Sequence, residues 1–84
     1  MKFKYVEKTL ETVYGATLVE YEDGVKAIAD ALTIYVTRDL YLTASVNGLV
    51  FSNMQFKSVF ACVRYLIHNS SEIYKGALRN VNHV

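Results

Sequence analysis

Between Leu40 and Ile67 the hydrophobic period of the chain switches once, from two to about 3.6, and that switch marks its best-defined elements. Asn47-Gly48 sits between alternating apolar residues, a hairpin signature because both turn positions need a positive φ that Asn and Gly tolerate. A two-residue turn there predicts Val46 opposite Leu49, Ser45 opposite Val50, Ala44 opposite Phe51, Thr43 opposite Ser52, Leu42 opposite Asn53 and Tyr41 opposite Met54. One face of this ribbon is then oily, carrying Leu42, Ala44, Val46, Leu49 and Phe51. From Ser58, a good N-cap residue, Val59, Phe60, Val63, Leu66 and Ile67 fall on one helical stripe with Cys62 at its margin. The stripe is predicted to cover the oily face, which leaves Ala61, Arg64, Tyr65 and His68 pointing away.

The amino-terminal half is less decided. Phe3, Tyr5, Val6 and Thr9 favour a strand over residues 2 to 8, with Lys2, Lys4 and Lys8 suited to a sheet edge. Gly15 interrupts the pattern, and Thr17 to Glu22 reads as the next strand. Asp23 then opens two readings. As an N-cap it begins a short helix over residues 24 to 32, supported by the alanines and by Val25, Ile28 and Leu32; as the first residue of an Asp23-Gly24 turn it begins a strand that sets Val19 opposite Ile28. The alanine content favours the helix. Thr33 to Thr37 is a strand in either case.

After the helix that begins near Ser58, Asn69-Ser70-Ser71 reads as a loop or a kink. Ser71 then caps a last short helix in which Ile73, Ala77 and Val81 share a side and Gly76 costs about 1 kcal/mol relative to Ala. The tail from Asn80 is expected to fray. The prediction is a single compact α+β domain over residues 1 to 84. Its two layers are an antiparallel sheet of four to five strands with a C-terminal helix packed on one face, and a short terminal helix beside it.

Composition changes this picture little. The chain is 52% hydrophobic, with seven Tyr and four Phe, which favours an apolar or aromatic surface left for a partner. Its net charge of +1 is too small for long-range attraction to nucleic acid to dominate. One Cys excludes an internal disulfide, and with two His it leaves too few ligands for a structural zinc site. The expectation is a cytoplasmic protein with no metal and no cofactor. No apolar run approaches the roughly 18 residues that a membrane span requires.

Candidate chemistry is sparse. Cys62 and His68 lie six residues apart on one helix and out of phase, so they do not form a nucleophile and its base. Glu7 with Glu11, and Glu20 with Glu22, are expected to be solvated carboxylates, and His83 lies in the tail. No phosphate loop, serine elbow or metal-binding His-Glu spacing is present. A non-enzymatic protein-binding module is therefore expected, an inhibitor or adaptor of the kind frequent among viral and mobile-element products, docking on another protein or on itself as a homodimer. Arg64, Tyr65 and His68 on the helix and Tyr41 on the second sheet face are the candidate contacts, Tyr and Arg being common interface anchors. The alternative is a nucleic-acid-binding domain that uses Arg64, Lys75 and Arg79 of the basic C-terminal helices.

Overall fold

The structure, a computed structural model, describes residues 1 to 81, with the side chain of Val81 left out. Its order is α1 (Lys4–Tyr14), β1 (Thr17–Tyr21), β2 (Gly24–Ala29), β3 (Leu32–Thr37), β4 (Tyr41–Val46), β5 (Leu49–Gln55), α2 (Val59–His68) and α3 (Ser70–Val81). The five strands form an antiparallel meander in the order β1-β2-β3-β4-β5, and the helices share one of its faces. This is an α+β fold with the C-terminal helices against the sheet, as the sequence predicts.

The first segment corrects the expectation of a strand. Val6, Leu10 and Tyr14 recur every four residues and are all buried, so their spacing selects a helix over the local β preference of Phe, Tyr and Thr. Thr9 and Thr12 return their hydroxyls to the carbonyls of Tyr5 (2.6 Å) and Lys8 (2.9 Å), which satisfies them without leaving the helix. Gly15 ends it at φ 63°, a left-handed C-cap conformation.

The short helix expected over residues 24 to 32 is also absent. Val25 and Ala27 are buried while Lys26 and Ile28 face the other way, a period of two imposed by ladders to β1 and β3 on either side. Tertiary pairing overrides alanine propensity here. The hairpin is not the one weighed from sequence either. Its turn residues are Glu22 and Asp23, which puts Tyr21 opposite Gly24 and Val19 opposite Lys26. Gly24 belongs in the ladder because β3 crosses close to it. A Cβ there would meet the Val36 carbonyl oxygen and lie 2.8 Å from Thr37 Cα.

The Asn47-Gly48 turn forms as predicted, both residues with positive φ (51° and 83°), and Val46 pairs with Leu49 and Ser45 with Val50. Beyond that point a bulge intervenes. Phe51 is the extra residue, so Ala44 faces Ser52, Thr43 faces Asn53, Leu42 faces Met54 and Tyr41 faces Gln55, one residue off the register expected. The bulge turns the Phe51 ring toward α3, where it occupies the space left open by Gly76.

Ser58 caps α2, its hydroxyl accepting from the Ala61 amide at 3.0 Å. Only Asn69 separates α2 from α3, so residues 70 and 71 are the start of a helix rather than a loop, and Asn80 is still helical, its side-chain amide donating to the Gly76 carbonyl at 2.8 Å. Residues 82 to 84 of the expected frayed tail, His83 among them, lie outside the described residues. α1 sits astride β1 and β2, α3 astride β4 and β5, and α2 runs mainly along α1. The oily face of β4 is thus covered most directly by Ile73 and Ala77 of α3, and not by the stripe of α2 that the sequence predicts to cover it, because α2 packs along α1. One continuous core joins Val6, Leu10 and Tyr14 with Val25, Ile34, Val36, Leu42, Ala44 and Val46 of the sheet and Cys62 and Leu66 of α2. Among the described residues no helix is long and apolar enough to cross a membrane.

Candidate functional site

Eight of the ten residues from Val59 to His68 are apolar or aromatic, more than one helical face can bury. The structure chooses Cys62 and Leu66 for the core, both fully inaccessible, with Val59 and Val63 half-buried beside them. Tyr14 helps fix that rotation: its hydroxyl, at the end of α1, donates to the Leu66 carbonyl at 2.9 Å. Burial pushes the Cys62 thiol up to about 12, so at neutral pH it is a protonated, inaccessible group and not a nucleophile.

This rotation differs from the stripe read from sequence. Cys62 lies at its centre, whereas Phe60 and Ile67, assigned to the core, are 57% and 46% exposed. Phe60, Arg64 and Ile67 follow one another at four and three residues, so they share the outward side of α2. Together with Met1, Val63 and His68 they line a shallow depression of about 270 Å³.

Arg64, Tyr65 and His68 border a second depression of about 480 Å³ that also includes Phe56, Ala61 and Asn69, but Tyr65 packs partly against the core and does not point away from it. Arg64 and His68 line both depressions and form the ridge between them. Tyr65 is half-buried, its ring 5.3 Å from that of Phe56, and supplies part of the floor. Tyr41 does not join this group. It stands on the opposite, open face of the sheet with Tyr35 and Tyr21, the last two 6.0 Å apart with the Lys26 ammonium over the Tyr21 ring. Phe60 and Ile67 were missed because the apolar stripe was drawn too wide. The surplus of apolar positions on a ten-residue helix was the available signal.

The charge of the α2 face is one-sided. Arg64 and His68 are the only residues of α2 able to carry a positive charge, and α2 carries no carboxylate. Glu72 meets Lys75 at 3.7 Å, the one ion pair among the described residues.

A second concentration of titratable groups lies on α1 and β1. Glu7 and Glu11 neighbour one another one turn apart on α1, not on a strand. Glu7 meets Glu20 of β1, and the hydrogen bond between their carboxyl groups, then partial burial and the repulsion of the Glu20 charge, raises Glu7 above the ordinary carboxylate range. Glu7, Glu11, Lys4, Lys8, Tyr5 and Leu18 border an open groove there of about 460 Å³. Comparison with protein-family models, with curated proteins and with solved structures finds no match to this chain.

Proposed function

We propose that this chain is a small non-catalytic protein-binding module, an inhibitor or adaptor, that docks through the outward face of α2. The observation that carries this reading is the exposure of Phe60 and Ile67 two helical turns apart, with Arg64 between them on a face free of carboxylates. Large apolar groups flanking a guanidinium are the side chains that most often anchor protein interfaces. The complementary partner is a protein surface with an apolar cleft for Phe60 and Ile67 and a carboxylate for Arg64. Tyr65 and His68 extend the contact into the neighbouring depression, whereas Tyr41 belongs to a different surface. A reduced, buried thiol is compatible with the cytoplasm as the place of action.

The test is capture from lysate, untreated and nuclease-treated, by wild type, by Phe60→Ser with Ile67→Ser, and by Arg64→Ala with Tyr65→Ala, each first shown to be folded. Discrete proteins retained by wild type and lost by both variants support the reading. Capture indifferent to these substitutions contradicts it. Capture abolished by nuclease assigns the partner to nucleic acid and contradicts it equally.

A further inference from the structure

We propose that the flank of α1 and the free edge of β1 form a two-fold interface with a second copy of this chain. β1 is an edge strand of the meander, with no strand paired on its outer side among the described residues. Beside it the exposed flank of α1 presents Lys4, Glu7, Lys8 and Glu11 around the groove floored by Leu18. Along the helix the stripe sets like charges at i, i+4 (Lys4 with Lys8, Glu7 with Glu11) and opposite charges at i, i+3 (Lys4 with Glu7, Lys8 with Glu11), so within one copy its charge interactions largely offset one another. None of the four residues makes an ion pair within the described residues.

The same order is self-complementary. Laid antiparallel against a copy of itself with the axis between residues 7 and 8, Lys4 meets Glu11 of the second copy and Lys8 meets Glu7, and symmetry doubles each contact. An isologous interface requires this reciprocity. The strand obeys the same axis: an antiparallel β1 pair centred on Val19 sets Thr17 opposite Tyr21 and Leu18 opposite Glu20 of the second copy. The two centres coincide in the fold, since Glu7 meets Glu20 and Leu18 lies in the groove bounded by Glu7 and Lys8.

Spacing agrees as well. α1 is astride β1 and β2, so its axis lies about half of a ~4.8 Å strand spacing inside β1. One further spacing across the new strand pair brings the two α1 axes about 10 Å apart, the upper end of the usual 8–10 Å for packed helices. The result is a ten-strand sheet with the two α1 helices side by side and a lysine of the second copy beside Glu7. A standard interface would take roughly 800 Å² from each copy, out of a surface of 5286 Å². None of the residues involved belongs to the α2 face, so this interface and the docking reading stand or fall separately.

The experiment is a charge swap read by sedimentation equilibrium. Wild type at 50 mM salt is expected to approach twice its 9.5 kDa monomer mass as concentration rises toward 0.5 mM. Lys4→Glu with Lys8→Glu makes the stripe wholly acidic, and Glu7→Lys with Glu11→Lys makes it wholly basic. Each is expected to be monomeric alone, and the two mixed are expected to form a 1:1 dimer. A monomeric wild type throughout this range, variants that dimerise like wild type, or a mixture that stays monomeric overturns the interface. If either variant fails to fold, wild type at 50 and 500 mM salt decides: at least tenfold weaker association at high salt supports the charge stripe, and unchanged association overturns it. Ile67→Asp serves as the control, leaving dimerisation intact while removing the proposed docking face.

Discussion

At the scale of single residues, the contact between Glu7 and Glu20 has a measurable consequence. Glu7 holds its proton to higher pH in the folded chain than in the unfolded one, because its neighbour shares a hydrogen bond and then repels its charge. Its contribution to stability is therefore complete below its ordinary value of 4.5 and is lost as pH rises through the raised value. Glu20→Gln removes the neighbouring charge. Dilute protein followed by carboxyl NMR should show Glu7 titrating at lower pH in that variant, and urea denaturation should show a smaller loss of stability between pH 4 and pH 7. A Glu7 titration unchanged by the substitution would show that the two carboxyl groups do not meet. The sequence contained both residues but not their pairing, which exists only because the first segment is a helix laid over β1.

At the scale of elements, Gly76 and Phe51 form a matched pair. In an exposed helix Gly→Ala gains about 1 kcal/mol, but a Cβ at Gly76 would lie 2.7 Å from Phe51 Cε2, so the ring must move. Gly76→Ala is expected to give no gain, or a loss of about 1 kcal/mol, in wild type. In a Phe51→Ala background the same change should stabilise, and a double-mutant cycle by urea denaturation measures the coupling. Additivity of the two substitutions would contradict the contact. The turn at Asn47-Gly48 was legible because two adjacent residues with a backbone requirement announce it. The bulge one residue past Val50 was not, since it answers to Gly76 of α3, 25 residues on in sequence. α1 and β2 failed for related reasons. Val6, Leu10 and Tyr14 carried a four-residue spacing that β-prone neighbours obscured, and Val25 and Ala27 alternate only because strands lie on both sides of them.

For the whole molecule, the helices and the core occupy one side of the sheet, so its other side, both its edges and the outer flank of the helical layer face solvent. Arg64 and His68 were legible as surface groups because charged side chains on a short amphipathic helix have nowhere else to go. Phe60 and Ile67 were not, because the rotation of α2 is set by Cys62, Leu66 and the Tyr14 hydroxyl together, and each of these meets α2 only in the folded chain. That rotation is the central claim, since it alone makes an apolar face available. Urea denaturation of the Phe60→Ser, Ile67→Ser double variant tests it most directly. With about half of each side chain in water already, stability should remain within about 1 kcal/mol of wild type. A loss of about 3 kcal/mol or more, the magnitude expected when two large side chains leave a core, would contradict it.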